Sequence, residues 1–382
     1  MATRTTLKAT AVTSMSALAL AAMATTAQAD SPEVYGIIDI GLESYSSDLD
    51  GGAPEIFQGN LSAAGNSDEK DFTLVNLLTS RLGVRGSEEL TDNLTASYNY
   101  EISADVLNLG GTVGTRLGWA ALSGDWGQVK VGTQWSPLFN YAAWNTQRMD
   151  THGYSPHYYG TAQLGDAAFG FQQSSTVSYN YGSPYDYTQP LAVSVAVGVG
   201  QGEAEFEDPL VDADETITEQ NESGISSIQL AAQYAFQERF MINALYYRDI
   251  RDFDTAAEVE AELYNIGARF VVNEQLELGV NYMVVDNDAD NDSERDIASI
   301  AGFYDFGTGW TTMLGLATGS DDRDGDVTAD GRDIDLSVYG DVRYSFSDRT
   351  NVRFEYEYID YDGAAVDDND DFVGLVGLQH SF

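Results

Sequence analysis

The sequence predicts an all-β protein, a sixteen-stranded antiparallel β-barrel that spans a membrane. Three observations carry this. From Asp30 onward, roughly sixteen segments of about 8–14 residues alternate apolar and polar side chains. Short turns and long polar loops join them in alternation, the asymmetry of a barrel with a periplasmic and an extracellular rim. The last segment, Phe372 to Phe382, puts Phe372, Val376, Leu378 and Phe382 on one face and Leu375, Gly377, Gln379 and Ser381 on the other, with no polar tail after it. Small or polar residues inward and apolar ones outward suit a closed sheet in lipid, where every backbone amide must find a partner within the sheet.

The elements follow in order. Residues 1–29 read as a secretion signal: Arg4 and Lys8, an apolar stretch from Ala11 to Ala24, and Ala27-Gln28-Ala29 before Asp30. The mature part, 30–382, is expected to form one barrel domain. No later segment approaches the roughly 18 uninterrupted apolar residues that a membrane helix needs. Short connections are expected at Gly86–Asn93, Gly124–Gly127, Gln237–Arg239, Asn273–Gln275, Gly307–Gly309 and Ser347–Thr350. In the strand from Leu94, the residues Leu94, Ala96, Tyr98, Tyr100 and Ile102 face lipid, while Thr95, Ser97, Asn99 and Glu101 face the lumen. Between Leu191 and Val199 every odd position is Leu or Val and every even one Ala, Ser or Gly. From Ile334 to Phe346 the even positions, Ile334 and Leu336 among them, are expected on the lipid face.

Composition narrows the function classes. Cysteine is absent, so an exported chain of this size must be stable without disulfides. The mean hydropathy of -0.26 is uninformative, because strands that alternate between lipid and water average to such values. The 23 Tyr suit interfacial girdles and the 37 Gly suit curved sheets. The formal net charge of -43 excludes nucleic-acid binding by phosphate neutralisation and favours local enrichment of cations.

Most of the acid sits in the long connections, near 47–71, 136–172, 201–224, 286–294, 320–333 and 361–371. The plain reading is a solvated surface that resists aggregation. The sharper one is weak binding of divalent cations among loops or lipid headgroups. Asp322, Asp324 and Asp326, followed by Asp330 and Asp333, resemble a calcium loop, but Val327 stands where the sharp turn needs Gly. No metal site or other cofactor is otherwise expected. His152 and His157 share one loop without a third ligand, and His380 falls on the lipid face of the last strand. No nucleophile elbow, phosphate-binding loop or dinucleotide fingerprint occurs, so the chain is not expected to be an enzyme.

The informative polar residues are cations on inward faces. Arg81 and Arg85 flank Gly83 with one parity, Arg116 opposes the face of Leu117 and Trp119, and Lys130 lies between Val129 and Val131. Together they predict one basic patch of barrel wall. The connection 136–172 carries Trp144, Tyr154, Tyr158 and Tyr159, besides Asp150 and Asp166. So much apolar surface is expected to fold inward and narrow the lumen, with Asp150 or Asp166 facing the basic patch.

The chain resembles the general porins of Gram-negative outer membranes over nearly all of its mature length. The matching pieces are Val34-Tyr-Gly36, Ser80-Arg-Leu-Gly-Val-Arg-Gly-Ser-Glu-Glu-Leu90, Thr115-Arg-Leu117, Val129-Lys-Val-Gly-Thr-Gln134 and Phe382. The resemblance implies a homotrimer in the outer membrane, in contact with its lipid and lipopolysaccharide. It also implies a third extracellular loop folded into the pore, and a constriction with Arg81 and Arg116, and Arg85 nearby, facing loop acids. Two departures matter: Ile37 stands where the family often has Lys, and Phe171 or Gln172 where a further Arg is expected. With fewer basic residues beside so much acid, the expected function is passive diffusion of small hydrophilic solutes, with a preference for cations. The rivals are a solute-specific porin with an aromatic slide for sugars, a barrel enzyme or adhesin, and a soluble exported binding protein.

Overall fold

The computed structural model describes residues 31–47, 69–77, 79–107, 113–151, 170–199, 224–250, 261–287, 293–321, 333–362 and 369–382. The first strands are β1 (Glu33–Ser47), β2 (Glu69–Asn76), β3 (Arg81–Thr91), β4 (Leu94–Ser103), β5 (Thr115–Gly124) and β6 (Gly127–Trp135). Next come β7 (Gln172–Tyr181), β8 (Leu191–Gly198), β9 (Ser227–Phe236), β10 (Phe240–Asp249) and β11 (Ala261–Val271). The last are β12 (Leu276–Asn287), β13 (Ser293–Asp305), β14 (Trp310–Asp321), β15 (Asp333–Ser347), β16 (Thr350–Asp362) and β17 (Asn369–Ser381).

Each strand pairs antiparallel with its sequence neighbours, and β17 returns to β1, so the sheet closes. β2 and β3 are two halves of one strand. β1 pairs with β3 through Glu33–Ile37 and with β2 from Ile40 onward, leaving a bulge that holds Leu77, Thr79 and Ser80 opposite Ile38 and Asp39. Sixteen membrane spans result. At the seam, Gly36 and Phe382 exchange backbone hydrogen bonds of 3.2 and 3.0 Å. A β-carbon on Gly36 would lie 2.3 Å from the Phe382 ring, so the Gly is needed for that ring to lie over the seam. Hydrocarbon offers no alternative partner for an open edge, and this closure satisfies it.

The expected alternation is present. Leu230, Tyr234 and Phe236 on β9 face outward while Gln229, Ala231, Gln233 and Ala235 are buried toward the lumen. Aromatic rings collect beside the short turns: Trp126 on Tyr179, Tyr234 and Phe240 on Phe236, and Trp310 and Phe346 on Tyr344. That is an interfacial girdle at the short-turn rim.

Irregularities account for the departures from strict alternation. A register shift between Ile334 and Leu336 turns Ile334 into the lumen, where it is buried, although strict period two had placed it in lipid. A second shift, between Glu101 and Ile102, leaves Arg116 as the extra residue of β5. Leu117 and Trp119, expected on the outer face, therefore point inward; Arg116 also reaches the lumen, because a bulge lets neighbouring residues share one side. The connection expected over Gly86–Asn93 is only the Asp92–Asn93 turn, since β3 continues to Thr91.

Candidate pore constriction

After β6 the chain turns into the barrel. Ser136–Thr151 runs along the inner wall, beginning with a π-helical turn at Leu138–Ala142 and a 3-10 turn at Ala143–Asn145. Leu138, Tyr141, Ala142 and Met149 pack on small and aliphatic wall residues, including Ala192, Ala231 and Leu245. The wall was made to receive this segment. Asn145 donates to Asn243 and Asn281 at 2.9 Å each and accepts from Asn243 at 2.7 Å, and Asn265 bonds Asn281 in turn. Beneath it, a β-carbon on Gly267 or Gly279 would lie 2.0 or 1.7 Å from Asn145 atoms. Thr146 bonds Ser299 at 2.8 Å and accepts from Tyr339 at 3.0 Å.

The far end is held by charge. Arg353, with no exposed side-chain surface, grips both oxygens of Asp39 at 2.9 and 2.8 Å and donates to Glu355 at 2.7 Å. Glu355 accepts the backbone amides of Asp150 and Thr151 at 3.1 Å each. Asp39 further accepts from Thr79, on the β2–β3 bulge, and from Gln379. Asp150 lies 2.8 Å from Arg343 and 3.7 Å from Arg353. Burial holds its carboxyl above the usual range although both guanidinium groups pull it down, and Glu355 and Asp39 push the same way as burial.

The basic side is more balanced than expected. Arg81 and Arg116 share one carboxylate: Glu101 stands between them, 3.6 Å from Arg81 and in direct contact with Arg116. Tyr35 also donates to Glu101, at 2.9 Å. Lys130 points inward and lies over the Trp119 ring at 4.5 Å. Arg85 is apart from this group, at the short-turn mouth, where it pairs with Glu33 at 2.9 Å on an exposed surface. Asp150 acts on Arg81 electrostatically, yet its close partners are Arg343 and Arg353. Asp166, His152 and His157 lie outside the described residues.

A second element narrows the lumen from the short-turn side. In the β7–β8 connection, Tyr187 donates to Glu277 at 3.0 Å, and Tyr185, with a positive φ of 63°, lies under Arg269 at 4.7 Å. Glu277 also pairs with Arg148 at 2.8 Å and with Arg269. These two elements thus line the inner wall from β8 round to β16, while Arg81, Arg116 and Lys130 stand on β3, β5 and β6.

Comparison with known proteins identifies the family and the barrel. The family model for Gram-negative porins covers residues 11–364. The chain belongs to the Gram-negative porin family. The porin is 31% identical over 132 residues to the major outer membrane protein P.IB of Neisseria gonorrhoeae, a match spanning 34% of each chain. Its fold is that of an anion-selective porin from Comamonas acidovorans, with TM-score 0.66, 15% identity, and 92% of this chain and 99% of that one covered. OmpF of Salmonella typhi gives 0.63 at 14% identity, covering 92% and 97%. OmpT of Vibrio cholerae, in a trimer form, gives 0.62 at 17%, covering 92% and 99%. Family and fold place the porin in the outer membrane as a diffusion channel. Sequence reasoning missed Asp39, Arg343, Arg353 and Glu355. Each lies on the inward parity of its strand, but a partner 314 residues away, as Asp39 is from Arg353, leaves no local signal.

Proposed function

We propose that this porin passes small hydrophilic solutes passively, prefers cations and carries out no covalent chemistry. The observation that carries the preference is Glu101, which offsets one of the two charges of the Arg81–Arg116 pair, so that the wall they share with Lys130 is less basic than its cations alone make it. The mature loops add a strongly negative surface outside it. The Comamonas relative is described as anion-selective, so a shared fold does not set the sign; side chains in the lumen do. Assembly as a homotrimer, set in lipid and lipopolysaccharide, is part of the same reading and is supported by the trimer form of the Vibrio relative. Weak divalent-cation binding in the loops is a further part of it, and the acidic runs concerned lie largely outside the described residues.

Reconstitution in a planar bilayer under a KCl gradient tests the proposal. The expected reversal potential has the sign of potassium passing more readily than chloride, with openings in steps of three. A chloride-selective potential overturns the preference. The aromatic stack of Trp135 on Phe139 at 4.0 Å, with Phe171 at 5.4 Å, favours a second reading, a sugar-binding slide. Saturable block of the current by added oligosaccharide is the result that would select it.

A further inference from the structure

Below the constriction segment, at the short-turn mouth, the lumen widens into a cavity of about 490 Å³. That lies within the roughly 300–1,000 Å³ usual for small-ligand sites. Its apolar side is Trp144 and Met313, with Phe303 covered by Arg148 at 3.9 Å. Every other residue of Ser136–Asp150 is buried or half-buried, while Trp144 is 37% exposed, its ring set against Phe139 at 5.7 Å and bordering the cavity. The cavity's cations are already engaged. Arg148 is on Glu277, and Arg343 lies between Asp150 at 2.8 Å and Asp341 at 3.5 Å. Two lining carboxylates, Glu274 and Asp305, are exposed and have no basic partner among the described residues.

A part-exposed indole beside carboxylates that lack a basic partner suits a positive charge on a flat apolar body, since the ring attracts both. We propose that this cavity is a binding subsite for small organic ammonium ions with an aromatic or similarly flat apolar group, entered from the short-turn side. Anions of the same shape meet only guanidinium groups that are already paired. The proposal rests on the cation-preferring reading of the same pore and names a solute class for it.

The test uses the full mature chain in a planar bilayer, with phenethylammonium added to one compartment at a time. Phenylacetate and phenethyl alcohol serve as comparison solutes. Phenethylammonium is expected to interrupt the current from the short-turn side at about tenfold lower concentration than either comparison solute. Trp144→Ala should raise its half-blocking concentration by about tenfold while leaving the KCl reversal potential in place. The exposed pair Glu274→Gln and Asp305→Asn, which leaves Trp144 and the constriction contacts untouched, should also weaken block. Equal block by phenylacetate, equal block from both sides, or block indifferent to both variants would each overturn the subsite. Chloride selectivity with amine block still sensitive to Trp144 would instead refute the pore's cation preference and leave the subsite standing.

Discussion

Arg353 shows how few side chains hold the constriction in place. It is the shared partner of two buried carboxylates, Asp39 and Glu355, and Glu355 in turn holds the backbone of the segment at Asp150 and Thr151. Removing the cation alone leaves two uncompensated charges, a loss of about 3–5 kcal/mol for a buried pair. Arg353→Met is therefore expected to lower the thermal midpoint of the folded barrel, followed by far-ultraviolet circular dichroism. Combining it with Asp39→Asn and Glu355→Gln should recover much of the loss, because no buried charge is then left alone. Asp150 gives a pH prediction. Its carboxyl sits above the usual range, so the folded protein takes up this proton at a higher pH than the unfolded chain does. Ionised Asp150 thus weighs against stability at neutral pH, and that burden is relieved as pH falls through the raised value. The same protonation removes one of the two carboxylates around Arg343, leaving Asp341 at 3.5 Å as its close acidic partner and adding positive charge to the lumen. Cation preference should therefore decline on acidification before ordinary loop carboxylates titrate, and Asp150→Asn should abolish that early step in the reversal potential.

Strands and their irregularities decide where side chains arrive. Gly279 illustrates the cradle: a β-carbon there would lie 1.7 Å from the Asn145 carbonyl oxygen, a backbone atom that no rotamer change can move. Gly279→Ala is expected to push Ser136–Thr151 off the wall into the passage, at about 1–3 kcal/mol for an overpacked site. Single-channel conductance should fall, whereas Gly302→Ala, where the nearest atom is Leu278 Cδ2 at 3.5 Å, should leave it unchanged. At this scale much was legible. The terminal strand, the alternation from Leu191 to Val199 and most turns follow from period two and turn chemistry. The small even positions of that strand, Ala192, Ser194 and Ala196, are buried toward the lumen as the parity requires. The bulges were not legible. One extra residue at Arg116 or near Ile334 reverses every assignment beyond it, and only the partner strand reveals it. Glu101 belongs with them: its inward parity was legible, but its place opposite Gly83, between Arg81 and Arg85, depends on a register shift between Glu89 and Thr91 just before the Asp92–Asn93 turn.

For the whole molecule, charge acts at two ranges. By sequence, the formal charge of -43 resides mainly in the connections between strands, while Arg81, Arg116 and Glu101 act within a few ångströms of a passing ion. Screening separates them, because the Debye length is about 10 Å at 0.1 M salt and about 3 Å at 1 M. The potassium-to-chloride permeability ratio should accordingly fall between 0.1 and 1 M KCl as the loop contribution is screened, and then level off. The residue of selectivity at 1 M belongs to the constriction. Glu101→Gln leaves Arg81 and Arg116 without the acid between them, so it should shift the 1 M reversal potential toward chloride. Its effect at 0.1 M should be proportionally smaller, because the loops still enrich cations there. Selectivity that vanished at 1 M, with Glu101→Gln indistinguishable from the parent at both salts, would place the deciding charges in the loops instead. Reversal potentials of the two proteins, measured across gradients centred on each salt concentration, distinguish these outcomes.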